Sequence, residues 1–293
     1  MDLNGDDLSG DGLSGDDPVV AVGGCTQFTP PAGVRQVRAP AGIVAYEPAE
    51  MTVRVRAGTV VAELAEALAA HGQMAALDPA VPDAATVGGV LAAGESGLRR
   101  LRYGPVRDTL LEARFVSAEG RMVKAGGPVV KNVSGFDLCR LLVGSRGTLG
   151  VLAEVVVRLQ PRPAVSRWLM GAADPFAVRR RLYRPSSVLW DGEITWVLLE
   201  GHPSDVSAEA SALGRGFVDA VGPPPRPPHR WSMRPSALPA LAASASAGLD
   251  GAFVAEVGVG TVHRDRPQPV RPVDPLHERV RALFDPGRRF AAA

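Results

Sequence analysis

The residues whose types and spacing best suit chemistry are glycines. Three glycine-bearing clusters follow one another: Thr86-Val87-Gly88-Gly89, Gly94-Glu95-Ser96-Gly97, and Gly144-Ser145-Arg146-Gly147-Thr148-Leu149-Gly150. Each is joined to an apolar segment. Glycine lacks a Cβ, so it adopts backbone conformations closed to other residues and lets a ligand lie against the main chain. A further cluster, Gly23-Gly24-Cys25-Thr26, follows the apolar residues 18–22. It offers main-chain N–H groups in a tight curve, a nest suited to a pyrophosphate. Taken singly, each cluster is equally a turn between strands. Taken in order, they point to a long cofactor lying along backbone.

Other residues are less specific. Arg99, Arg100, Arg102 and Arg107 form a basic run, suited either to carboxylates and phosphates or to a solvated face. Cys25 and Cys139 make neither a disulfide framework nor a metal cluster, and no cysteine group here can hold an iron–sulfur centre. The Asp- and Gly-rich start lacks EF-hand spacing. No Gly-x-Gly-x-x-Gly opens a strand-to-helix unit, which argues against a nicotinamide enzyme.

Five segments, Ala85-Thr-Val-Gly-Gly89, Ser96-Gly-Leu-Arg-Arg100, Tyr103-Gly-Pro-Val-Arg-Asp108, Lys131-Asn-Val-Ser-Gly-Phe-Asp137 and Gly144-Ser-Arg-Gly-Thr-Leu-Gly150, stand in an order that carries a resemblance. Together they closely resemble the FAD-binding domain of the vanillyl-alcohol-oxidase/PCMH superfamily. Within it, the chain resembles the small FAD-binding subunits of bacterial glycolate oxidases. The likeness runs from about residue 19 to 161, with Phe284-Asp285-Pro286-Gly287 similar to the family's closing segment.

The resemblance implies a cofactor and its contacts. Gly23, Gly24, Cys25 and Thr26 would hold the FAD diphosphate. Thr86, Gly88 and Gly89 would donate main-chain N–H groups to the cofactor, and Gly94, Ser96 and Gly97 would form a second approach. Tyr103 and Asp108 fall in the same set, and Gly150 and Val151 would face the adenine side. Some relatives attach flavin through a loop histidine; none is present here, so FAD is expected to be non-covalent. Lys131 is either a cation near the reduced flavin or a surface lysine. No metal site is implied.

The implied activity is oxidation of a small 2-hydroxy acid, such as glycolate or lactate, by hydride transfer to flavin. A larger flavin subunit and an iron–sulfur subunit would be partners. The alternative is a non-catalytic FAD-binding assembly subunit of such a complex. His263, after the apolar residues 257–262, is the candidate base, with Arg264 or Arg234 to hold a carboxylate. His202, His229 and His277 read as surface residues. A lone histidine at a strand end is more often structural, and that alternative stays open for His263.

These residues need elements to position them. The alternation of residues 52–56 predicts a half-buried strand. Val60, Leu64 and Leu68 predict a helix, with Thr59 as its cap and Gly72 as its stop. Residues 112–117 and 121–124 predict a hairpin about 118–120. Ser134 would cap a short helix through Leu142, and the Val-rich residues 149–159 predict a buried strand. After Pro163 the pattern predicts strands at 165–170, 188–190, 194–200 and within 251–262. It also predicts helices at 174–183, 204–220, 235–243 and 276–284, with a stiff proline-rich loop at 222–228.

The expected fold is α+β. A disordered acidic tail (1–17) precedes a two-subdomain PCMH-type FAD-binding domain (18–162) and a smaller antiparallel-sheet cap (163–293). The 293 residues are 46% apolar and 22% charged with a net charge of +1. That balance is ordinary for a soluble globular protein and gives no electrostatic case for nucleic acid or an anionic membrane. No apolar run is long enough to span a bilayer. The expected location is the cytoplasm, with any membrane contact made through a partner.

Overall fold

The computed structural model describes residues 17–127, 137–241, 251–269 and 274–292. Most of the expected acidic tail, together with Lys131 and Ser134, lies outside the described residues.

The chain begins with two short strands, β1 (Val19–Ala21) and β2 (Arg35–Val37), which pair in parallel. Next come β3 (Ile43–Glu47), β4 (Thr52–Arg56), α1 (Val61–Ala69), β5 (Gln73–Ala75), α2 (Val87–Ala93) and α3 (Arg100–Tyr103). The hairpin β6 (Leu110–Val116) and β7 (Met122–Gly126), the short helix α4 (Leu138–Leu142) and the long strand β8 (Val151–Pro161) follow. β3, β4, β8, β6 and β7 lie side by side in that order, all antiparallel, and β5 pairs with the far end of β8.

Sequence pattern explains most of this. Val53 and Val55 are fully buried while Thr52, Arg54 and Arg56 are not, the expected alternation on a half-buried strand. β8 is flanked on both sides by strands and is buried from Val151 through Val157, which is why it reads as a nearly unbroken apolar run. Val61, Leu64 and Leu68 bury one face of α1. Thr59 does not cap that helix. Its hydroxyl donates to the Arg56 carbonyl and accepts from the Gly42 N–H, tying two loops together, and Val60 takes the cap position without a side-chain bond. α4 is capped by Asp137, which accepts from the Arg140 N–H.

After Pro163 a second sheet begins. Its strands are β9 (Val165–Gly171), β10 (Ser187–Trp190), β11 (Thr195–Gly201), β12 (Val218–Ala220), β13 (His229–Ser232), β14 (Phe253–Glu256) and β15 (Thr261–Arg264). They lie antiparallel in the order β12-β9-β11-β10-β14-β15-β13. Helices α5 (Pro175–Arg181) and α6 (Pro203–Leu213) bury Val178, Val206 and Leu213 in the core with Leu169, Val197 and Leu199. The expected helix over 204–220 stops at Leu213. Gly214 and Gly216 follow, Gly214 at φ +87, and the chain returns as β12 along β9. β13, after the proline-rich loop, was not foreseen. The expected helix at 235–243 opens as a tight turn at Pro235–Ala237, with 238–241 helical and the rest outside the described residues. The closing helix α7 (Pro275–Phe284) is capped by Asp274.

The chain is α+β and splits into two compact units. One comprises Met1–Gly97, Pro105–Arg162 and Pro272–Ala293, and the other Leu98–Gly104 and Pro163–Arg271. This differs from the expected 18–162 and 163–293 at two segments, for a physical reason in each case. Val280 and Phe284 of α7 pack on the core of the first unit. Leu101 of α3 packs on the core of the second. No described helix is long and apolar enough to cross a membrane.

Candidate cofactor site

The site is built where β1 runs towards Gly23 and α2 opens on Gly88 and Gly89. The Val22 N–H donates to the Val37 carbonyl at 2.9 Å, so β1 and β2 stay paired up to the Gly23 loop. A Cβ on Gly24 would fall 1.6 Å from the Ala84 carbonyl oxygen, so the loop must lie flat on the segment leading into α2. Arg38 donates to the Gly23 carbonyl at 2.6 Å, and the Arg146 guanidinium stands 4.2 Å from the Phe28 ring centroid. Cys25 is exposed and holds a left-handed backbone, φ +51, inside this loop.

Thr86 caps α2, its hydroxyl accepting from the Gly89 N–H at 3.2 Å. The Gly88 N–H donates to the Ala57 carbonyl at 2.8 Å. The expectation that Gly88 and Gly89 donate to a ligand is therefore corrected: both N–H groups are satisfied within the chain. What these glycines supply is room. A Cβ on Gly88 would meet Ala57, whereas a Cβ on Gly89 would meet only the Thr86 hydroxyl, at 2.9 Å, and otherwise enter open space.

That space is a cleft in the first unit. Gly23, Thr86, Gly88, Gly89, Gly150 and Val151 line it. Ala39, Ala57, Gly58, Ser145 and Gly147 also line it and were missed. Gly147 stands in the third glycine cluster, and Gly58 in none of them. The walls are thus mostly main chain and methyl groups, a surface against which an extended cofactor can lie.

The remaining candidates sit elsewhere. Gly24, Cys25 and Thr26 continue from Gly23 as exposed loop. Gly94 is left-handed at the end of α2, and a Cβ there would fall 2.7 Å from the Gly144 Cα. The buried Ser96 hydroxyl accepts from the Val106 N–H, and Gly97 is pressed against Asp78. Asp108 is an exposed partner of Arg140 at 3.2 Å. Tyr103 belongs to the second unit, where burial and then the Glu200 charge raise its phenol above the ordinary value. None of these residues lines the cleft.

A family model described as "FAD binding domain" matches residues 16–126. The chain carries an FAD-binding domain. The matched span contains the Gly23 loop, β4, α1, α2 and the β6–β7 hairpin. The glycine-cleared cleft fits FAD, since Gly89 keeps open a space that any side chain there would enter.

The chain is 38% identical over 186 residues to the glycolate oxidase subunit GlcE of Escherichia coli (strain K12), covering 61% of this chain and 53% of that protein. It is 41% identical over 106 residues to a D-lactate dehydrogenase of Archaeoglobus fulgidus, covering 36% of this chain and 24% of the relative. The chain thus spans about half the length of the first of these, and less of the second. A solved structure of alkyldihydroxyacetonephosphate synthase shares the fold, with a TM-score of 0.67 and 15% identity over 94% of this chain and 71% of that one.

Beyond the FAD-binding domain, the second unit holds the titratable candidates. His263 lies on β15, is 5% exposed, and its Nε2 is 3.0 Å from Glu256 Oε1 on β14. The other oxygen of Glu256 is buried and has no hydrogen-bond partner among the described residues. Arg264 is buried, its guanidinium 4.7 Å from the Trp231 ring centroid. Arg99 of the basic run forks onto the buried Glu200, with contacts of 3.0 and 3.2 Å, and Arg102 donates to the Glu200 carbonyl. Two members of the run are therefore structural. The surface reading fits His202, which caps α6. No group of three metal-ligating side chains occurs among the described residues.

Proposed function

We propose that the protein is an FAD-dependent oxidoreductase subunit acting on a small 2-hydroxy acid of the glycolate or lactate kind. The observation that carries this is the glycine-cleared cleft of the FAD-binding domain. It is supported by relatives named glycolate oxidase subunit and D-lactate dehydrogenase. FAD is held without a covalent link, since the loop at the cleft offers no histidine. When bound, the cofactor supplies the acceptor for a hydride leaving the carbinol carbon. The chain must then supply a base for the hydroxyl proton. His263 is the candidate, its imidazole oriented by Glu256. Lys131 is the proposed cation that offsets charge on the reduced cofactor. A larger flavin subunit and an iron–sulfur subunit are the proposed partners, and the cytoplasm the proposed location.

A second reading, a non-catalytic FAD-binding assembly subunit, is favoured by one observation. His263 is buried and committed to Glu256, and Arg264 to Trp231. Anaerobic mixing of the FAD-loaded protein with glycolate or D-lactate separates the two. Bleaching of the oxidised flavin band is expected, slowed roughly 10²–10⁴-fold in His263→Ala. Bleaching at an unchanged rate in that variant removes His263 as the base. No bleaching until a partner is added establishes the second reading.

A further inference from the structure

Residues 285–291 are tied to the first unit by several hydrogen bonds. Asp285 is fully buried, and its carboxylate accepts from the Arg289 and Phe290 N–H groups at 2.7 Å each. That bends the chain so that Phe290 pairs in parallel with Val19 of β1. The Val19 N–H donates to the Arg289 carbonyl and the Ala291 N–H to the Val19 carbonyl, both at 2.8 Å. Arg281 of α7 holds the Phe290 carbonyl, and Arg289 reaches the Ala118 carbonyl beyond β6. The Phe290 ring is 1% exposed, in a cluster with Val19, Val37 and Val151.

Two members of that cluster, Val37 and Val151, also line the cofactor cleft. β1, to which Phe290 is paired, runs directly into the Gly23 loop. Phe290 therefore stands behind the cleft wall, and the segment it belongs to flanks the strand that delivers the loop. β1 has three residues, too few to hold a position by its own ladder.

We propose that residues 285–291 are a clasp that positions the FAD-binding loop, with Asp285 and Phe290 as its positioning residues. Docking of the clasp and binding of FAD are then linked equilibria. If only the docked form binds well, undocking weakens FAD in proportion to the docked fraction lost. By reciprocity FAD must tighten the clasp. The proposal rests on the cofactor assignment, so the wild-type protein is first shown to bind FAD.

The experiment measures FAD affinity of the full chain by flavin fluorescence, beside hydrogen exchange at the Phe290 and Ala291 amides. Phe290→Ala is expected to raise Kd about tenfold or more, as if a tenth or less of the molecules kept the clasp docked. Phe290→Leu, which still fills the site, should recover most of the loss. Leu68→Ala removes a fully buried side chain from the same unit without touching the clasp. It should lower thermal stability and leave Kd within about twofold, a change too small to signal undocking. In the wild type, FAD should slow exchange at both amides. The proposal is overturned if Phe290→Ala leaves Kd within that twofold, or if Leu68→Ala weakens FAD equally. Should Phe290→Ala fail to fold, exchange in the wild type decides, and no protection by FAD overturns it.

Discussion

At the scale of single residues, the glycines divide by what lies beyond their missing Cβ. Gly24 faces the Ala84 carbonyl and Gly150 the Phe115 ring, so their identity is demanded by the fold itself. Gly89 faces open cleft. Gly89→Val should therefore leave the circular dichroism of the protein unchanged and abolish FAD binding, because the branched side chain fills space the cofactor needs. Wild-type FAD affinity in the folded variant would show that the cluster is only a turn. The sequence made the glycines visible as a group but not this division, since it depends on neighbours such as Ala84 and Phe115 that sit elsewhere in the chain. Ala57 and Ala39 carried no signal at all, because a methyl group that lines a cleft looks like any other alanine. Cys139 gave none either. It lies on the buried face of α4, and burial pushes its thiol up to about 11.

At the scale of elements, periodicity located β4, α1, β8 and the β6–β7 hairpin. It failed where a choice between local partners decides the outcome. Thr59 is a good cap by type, but its hydroxyl is taken by Arg56 and Gly42. Alanine-rich sequence continued the predicted α6 too far, whereas β12 is fixed by pairing with β9 and by Arg167 on Asp219 at 3.0 Å. One polar feature of the first sheet was also hidden. Glu112 on β6 is fully buried and takes Arg54 at 2.8 Å and Lys124 at 3.2 Å, with Glu154 of β8 sharing Arg54 at 3.0 Å. Burial pushes the Glu112 carboxyl up, and the bonds from Arg54 and Lys124 outweigh it, so the group ends below its ordinary value of 4.5. A depressed carboxyl stabilises the fold above its unfolded value and loses that contribution as pH falls through the folded one. Denaturant melts should thus show stability level from neutral pH to about 5 and declining below that ordinary value of 4.5. Glu112→Gln should cost about 1–3 kcal/mol at pH 7 and flatten that decline. An equal acid loss in the variant would place the titrating group elsewhere.

At the scale of the whole molecule, the chain does not divide where its composition changes. Pro163 marks the start of a new sheet, yet α3 belongs to the second unit and α7 with the clasp to the first. Neither exchange is legible in sequence, because each depends on a long-range contact: Arg99 with Glu200, and Phe290 with Val19. The small parallel sheet that leads into the Gly23 loop is joined by Phe290, far along the chain. The central claim is that this assembled cleft holds FAD without a covalent bond. The visible absorption spectrum of the purified protein, recorded before and after acid precipitation, tests it most directly. The account predicts a bound-flavin spectrum before treatment and yellow FAD in the supernatant after it. Colour retained in the pellet would contradict the non-covalent site, and a colourless protein that cannot be reconstituted with FAD would contradict the site itself.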